Sequence, residues 1–321
     1  MRIIVLGAGA IGSLLGGRLQ AAGHEVLFVA RGPQLEHLSS DGLTIIGSFQ
    51  AQLRVEAVDR IPPDRSADLV LVTVKTFDLG EAAREIAGRL AGATPVLLLE
   101  NGLSIEAGVI DALRTAGWPD AADQVIRGIN SIPATLLSPG TVRQAGEGEI
   151  LLGEGPRERT DRIRAALTSA GVQVRVVPDL HTEIWRKALI NAAINPVTAD
   201  HRVANGELAR EPWRGQAIAL LHEARAVAEA EGFPFSEEGA EADLFRIVRG
   251  TAENRSSMLQ DVERGHPTEI EAISGTILLL GQRHGIALPA TERAVERIRG
   301  ASRNAGAGRV RSSAGPSADA A

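Results

Sequence analysis

Lys187, Asn191 and Asn195 recur at intervals of four within residues 183–196. The stretch is rich in Ala, Leu and Ile and has no Gly, so it reads as a helix. A spacing of four stacks the three polar residues on one face, one turn above another. Around them lie Trp185, Leu189, Ile190, Ala192 and Ile194, all apolar. An ammonium in line with two amides can bind a small polar anion and hand it a proton. Taken alone, the stripe reads more simply as the solvated face of an amphipathic helix. Against that, solvated faces carry Glu, Lys and Gln more readily than Asn, a mediocre helix former.

A second polar cluster spans residues 254–261 and continues through His266, Pro267, Thr268 and Glu269. Asn254 and Ser257, three apart, would lie together at a helix start. Ser256 and Thr268 also read as N-caps, a role compatible with chemistry nearby. Two further polar residues follow apolar runs: Lys75 after 68–74 and Asn101 after 95–99. Ligands of open α/β sheets lie beyond the carboxyl ends of strands, which places both beside a cofactor or substrate. Asn101-Gly102 is equally a common turn pair.

The elements that must position these groups begin at the N-terminus. Residues 2–6 are a short apolar run, followed by Gly7-x-Gly9-x-x-Gly12, a helical pattern over 13–22, Gly23 and a second strand over 25–29. Strand, glycine turn, helix and strand within one unit form a dinucleotide-binding signature. Gly7 makes the turn, Gly9 admits the pyrophosphate, and Gly12 lets helix and strand approach. Ala10 and Ile11 open the helix, whose free N–H groups face the phosphates. An NAD site would place Asp or Glu at the end of the second strand. Ala30-Arg31-Gly32 stands there instead, and a guanidinium binds phosphate through paired donors. NADP(H) is therefore the expected cofactor, with an ordinary surface arginine as the alternative.

Continuous apolar runs at 68–74 and 95–99 predict buried parallel strands. Short extra strands are expected over 42–58, several β segments over 124–153, a helix over 157–170 and a strand over 172–177. Helices are expected at 180–194, 212–231, 237–252, 256–263, 268–284 and 290–299. The predicted fold is an α/β Rossmann-type domain with a parallel sheet over 1–178, followed by an all-α domain over 179–300. Residues 301–321 hold one large apolar residue, Val310, and are expected to form a disordered tail.

Composition removes several classes of function. Net charge is −6, from 34 Lys and Arg against 40 Asp and Glu, which gives no basic excess for a nucleic acid. No apolar run approaches the roughly 18 residues that span a membrane, and the N-terminal run is too short for a signal peptide. The sequence has no Cys, which fits a cytoplasmic protein and excludes thiolate chemistry; no metal site is expected. Tyr is absent too, leaving Lys, His, Asp and Glu for proton transfer.

Taken together, Gly7-x-Gly9-x-x-Gly12, Arg31, Lys75, Glu100-Asn101-Gly102, Lys187-x-x-x-Asn191-x-x-x-Asn195-Pro196, and Asn254-x-x-Ser257 with Glu269 resemble the ketopantoate reductase (2-dehydropantoate 2-reductase) family. The resemblance covers about residues 1–300. It implies a helical second domain similar to that of 6-phosphogluconate dehydrogenases. It also implies NADPH-dependent reduction of the 2-dehydropantoate ketone to (R)-pantoate, on the way to pantothenate and coenzyme A. Gly7, Gly9 and Gly12 would hold the pyrophosphate, Arg31 the 2′-phosphate, and Lys75 the phosphate and adenosine side. Asn101 would contact the nicotinamide end and the substrate. Lys187 would be the catalytic acid, facing Glu269 across a substrate bound by Asn191, Asn195, Asn254 and Ser257. One position departs from the family pattern: Glu100 stands where Gln is usual. Two alternatives remain, a reductase of another 2-oxo acid and a non-catalytic NADP sensor; the sensor would not need Lys187 with Glu269. The sequence leaves the oligomeric state open, a homodimer included.

Overall fold

In a computed structural model, the first strand carries the apolar run at the N-terminus, and the elements follow in alternation. The structure describes residues 1–312, with side chains described through 301. The first unit, Met1–His181, contains β1 (Arg2–Leu6), α1 (Ala10–Ala21), β2 (Glu25–Val29), α2 (Gly32–Ser40), β3 (Leu43–Gly47), β4 (Ala51–Leu53), β5 (Glu56–Val58) and β6 (Leu69–Val72). It continues with α3 (Leu79–Arg89), β7 (Val96–Leu98), α4 (Ile105–Thr115), α5 (Ala121–Gln124), β8 (Val125–Asn130), β9 (Ala134–Ser138), β10 (Thr141–Gln144), β11 (Glu149–Gly153), α6 (Arg157–Ser169) and β12 (Gln173–Val177).

Eight strands form one sheet in the order β12-β11-β8-β7-β6-β1-β2-β5. From β8 to β5 every pairing is parallel; β11 runs antiparallel to β8 and parallel to β12. The sheet is thus mainly parallel, as expected, with one antiparallel step between β11 and β8. The reversal arises because the chain returns from β8 to β11 through the hairpin β9–β10 rather than a helical crossover. β9 and β10 belong to a second, four-stranded sheet of order β4-β3-β10-β9. Continuous apolar runs suit the central strands because both faces are covered. Ile3 and Val5 enter one apolar cluster with Leu14, Leu15 and Phe28, while Ile4 and Leu6 enter another with Val70, Leu79 and Ile86.

The second unit, Thr182–Ala321, is helical. Its described elements are α7 (Leu180–His201, which starts at the junction), α8 (Trp213–Ala230), α9 (Glu237–Gly250), α10 (Ser257–Arg264), α11 (Thr276–Arg283) and α12 (Pro289–Ser312). A 3₁₀ turn over Asn205–Ala209 precedes α8, and a π turn over Glu271–Gly275 leads into α11. Three expectations are revised here. The helix expected to end at 194 runs through Pro196 to His201. The neighbours Ala193, Ile194, Val197 and Thr198 are each at most 4% exposed, and that packing holds the helix despite the lost backbone donor. The helix expected from 268 begins later, with Ile270 at the N-cap and no side-chain cap, so Thr268 is not a cap. Finally, α12 is helical to Ser312, inside the segment expected as a tail, since its Ala and Arg are good helix formers. Residues 313–321 of that expected tail lie outside the described residues.

Side-chain caps fix the starts of several helices of this unit, Ser236 Oγ accepting the Gly239 N–H at the start of α9 (3.2 Å) among them. Ser256 Oγ accepts the Leu259 N–H at the start of α10 (3.1 Å). Glu223, on α8, accepts the Ala290 and Thr291 N–H groups at the start of α12, both at 2.7 Å. No helix among the described residues is long and apolar enough to cross a membrane.

Candidate active site

The residues expected to bind cofactor lie along one edge of the large sheet. β7, β6, β1 and β2 are consecutive neighbours and run parallel. Asn101, Lys75, the Gly7–Gly12 turn and Arg31 follow the carboxyl ends of these four strands in that order. Three interstrand steps span roughly 14 Å. That row gives an extended ligand two distinguishable ends, Arg31 at one and Asn101 at the other.

The glycine turn is fixed from behind. Gly7 has φ +104°, and a Cβ there would lie 2.7 Å from the Val74 nitrogen. A Cβ on Gly12 would collide with the Gly7 carbonyl oxygen and Thr73 Oγ1. Thr73 Oγ1 donates to the Gly7 carbonyl at 2.7 Å. Ser13 Oγ and Gln34 Nε2 both donate to the Ala8 carbonyl, at 3.0 and 2.9 Å. On the opposite side the turn is open: nothing lies within 4 Å of a Cβ built on Gly9. Gly9 is the N-cap of α1 and supplies no side-chain cap. The first-turn N–H groups at Ala10 and Ile11 are thus left to a ligand. An open cradle at a helix N-terminus, with positive dipole, fits a pyrophosphate.

Arg31 occupies the N-cap position of α2. Its terminal nitrogens donate to Glu81, in the first turn of α3, at 2.5 and 3.4 Å. The hydrogen bond to Glu81 raises the Arg31 pKa, and the same bond lowers that of Glu81. Asp78, beside them, is pushed up by burial, partly offset by Arg31. Lys75 is half-buried at the N-cap of the 3₁₀ turn Thr76–Asp78.

Asn101 sits in a tight turn in which Gly102 has φ +117° and Ser104 φ +54°. Arg127, on β8, donates through one terminal nitrogen to the carbonyls of Glu100 (2.7 Å) and Gly102 (3.2 Å), bracketing Asn101. Its side chain is 9% exposed and its Nε lies 3.9 Å from Glu106. Glu100 is itself buried.

In the helical unit, Lys187 and Asn191 are half-buried and Asn195 is buried. Ile184, Trp185, Ala188, Leu189 and Ala192 are buried as well. The stripe is therefore not the solvated face of an amphipathic helix. Thr198, on α7 just beyond Asn195, shares a 2.7 Å hydrogen bond with Ser256, the cap of α10. That bond places the start of α10, with Ser257, beside the Asn195 end of α7. Ser257 is exposed in the first turn, and Asn254 is half-buried in the preceding loop, its carbonyl accepting the Asn205 N–H at 2.9 Å. Glu269 is buried just before the π turn, and the adjoining Ile270 shares a core with Ala199, Met258 and Leu259.

Each set of expected residues lies within its own unit, and in the helical unit the Asn195 end of α7 adjoins the start of α10. The sequence reading missed the braces: Ser13, Gln34 and Thr73 behind the glycine turn, Arg127 behind Asn101, and Glu81 on Arg31. Only Arg127 left a signal, as the lone charge within the run Val125–Asn130.

Comparison with known proteins agrees across nearly the whole chain. A family profile described as "Ketopantoate reductase PanE/ApbA" matches residues 3–157, and its C-terminal counterpart matches residues 179–302. A 2-dehydropantoate 2-reductase of Archaeoglobus fulgidus is 38% identical over 303 residues, covering 93% of this chain and 97% of that protein. The crystal structure of a PanE/ApbA family ketopantoate reductase from Ralstonia eutropha JMP134 superposes with a TM-score of 0.85 at 31% identity, over 95% of this chain and 100% of that one. D-mandelate dehydrogenase, solved with NADH and anilino(oxo)acetate, gives a TM-score of 0.88 over 95% of this chain and 99% of that one. Its identity is 23%, so that likeness is one of fold.

Proposed function

The chain belongs to the ketopantoate reductase PanE/ApbA family, and from that premise we propose that it reduces the C2 ketone of 2-dehydropantoate to (R)-pantoate with NADPH. The observation that carries the reading is the α7 stripe: Lys187, Asn191 and Asn195, half-buried to buried among the buried apolar residues Ile184, Trp185, Ala188, Leu189 and Ala192. A protein that only senses cofactor has no use for an ammonium and amides held in this way. The reading places the protein in the cytoplasm, on the route to pantothenate and coenzyme A.

The cofactor would be held by the Gly7–Gly12 turn through backbone N–H groups, by Arg31 and Lys75 toward the adenosine end, and by Asn101 toward the nicotinamide. When bound, NADPH supplies the hydride that reduces the ketone. Lys187 stabilises the negative charge that grows on the ketone oxygen and gives that oxygen its proton. A carboxylate at Glu269 favours the charged form of the lysine against the desolvation that opposes it. Asn191, Asn195, Asn254 and Ser257 grip the substrate's carboxylate and hydroxyl, holding the ketone near its attack geometry. The sterically locked glycine turn fixes where the phosphates can lie.

The buried Glu100 favours a second reading, a different 2-oxo acid, because an added carboxylate opposes an anionic substrate. NADPH oxidation measured across a panel of 2-oxo acids tests both. The expected result is the highest kcat/KM with 2-dehydropantoate. A higher value with another 2-oxo acid would replace the substrate, and no turnover with any would leave the sensor.

A further inference from the structure

Arg31 is not presented to solvent as an isolated cation. Both of its terminal nitrogens are directed at the Glu81 carboxylate, while the two side chains remain 64% and 55% exposed. Asp78 and Glu85 add two more carboxylates to the field at Arg31, and Arg84 offsets part of the charge on Glu81. The first turn of a helix favours an acid at position 81, but that does not require the acid to engage Arg31. Nor does the fold need this pair, since exposed ion pairs add little stability.

The position of the pair matters more than its strength. It stands at the end of β2, where a dinucleotide site that takes NAD has its own Asp or Glu for the ribose 2′-hydroxyl. Here β2 is followed by Ala30 and Arg31, and the nearest carboxylate comes from α3 instead. A hydroxyl can donate to that carboxylate. A 2′-phosphate dianion cannot: it competes with Glu81 for the donors of Arg31 and is repelled by it.

We propose that Glu81 is a specificity-determining residue, which supplies from α3 the carboxylate missing after β2 and so admits NADH beside NADPH. The proposal rests on the cofactor reading above. Glu81 receives the ribose 2′-hydroxyl of the unphosphorylated cofactor, and Arg31 receives the 2′-phosphate of the other. The two cofactors therefore differ modestly in affinity, because each loses something to the residue that serves its rival.

Isothermal titration of the full-length protein with NADPH and with NADH, without substrate, reads this directly. Glu81→Gln should tighten NADPH and weaken NADH, each by roughly three- to tenfold, as expected for an exposed charge next to the ligand. The thermal midpoint should not move, so the shift in ratio cannot be a folding effect. Weaker NADPH binding in Glu81→Gln would make Glu81 a support for Arg31 and overturn the proposal; an unchanged ratio would overturn it too. Arg31→Ala separates the two layers. If it weakens NADPH alone while Glu81→Gln changes nothing, only the role of Glu81 falls. If Arg31→Ala changes neither constant, the 2′-phosphate reading of Arg31 falls as well.

Discussion

In the turn after β1 the groups offered to a ligand are backbone atoms, and neighbouring residues hold their carbonyls from behind. On α7 they are side chains, and what makes them exceptional is the buried apolar residues they lie among. The first site is specified by exclusion: Gly7 and Gly12 have no room for a Cβ, and Gly9 faces open space. The second is specified by contrast, three polar residues against Trp185, Leu189 and Ala192. A steric site couples binding to folding, because whatever spoils the turn also disturbs the strand and helix that meet there. A side-chain site on a stable helix can lose its chemistry and keep its fold.

Lys187→Ala is the sharpest test of that difference. Loss of a positioned general acid should lower kcat for 2-dehydropantoate reduction by about 10²–10⁴. Calorimetric affinity for NADPH and the thermal midpoint should stay at their wild-type values. Full turnover in this variant would refute the assigned role of α7. Gly12→Ala should do the reverse of a clean loss. The added methyl meets the Gly7 carbonyl and Thr73, so stability in urea should drop by roughly 1–3 kcal/mol, with NADPH affinity falling alongside. If binding fell and stability held, the glycine turn would be no more coupled to the fold than the stripe is. The smallest effect is expected at Glu223, which caps α12. Glu223→Ala should remove about 1 kcal/mol in a urea titration, and kcat/KM at low denaturant should not change. A matching loss of activity would mean that the helical unit, too, couples its chemistry to its packing.

The same contrast explains what the sequence revealed. The glycine turn was legible because steric exclusion leaves only one residue type at fixed spacing. β6 and β7 were legible because strands covered on both faces are apolar throughout. The α7 stripe was visible as a period of four, yet its burial was not, because periodicity alone does not say which faces neighbours cover. Pro196 argued for an end to α7 that packing overrode. The reversal at β11 and the second sheet escaped because short strands state their faces but not their partners. Gln34, Thr73 and Glu81 act through contacts distant in sequence, and nothing in their own surroundings marks them.

The π turn over Glu271–Gly275 carries a consequence for how Glu269 is aimed. A π turn holds one residue more than the α-helical turn it replaces. Each residue of an α-helix advances the azimuth by roughly 100°. Were residues 270–283 wound as a continuous α-helix, Glu269 would face a different direction around the axis of α11 while α11 kept its own packing. The bearing of that carboxylate is thus set by a single residue's worth of extra winding. Among relatives, an insertion or deletion of one residue at this turn would re-aim the site without altering any residue in it.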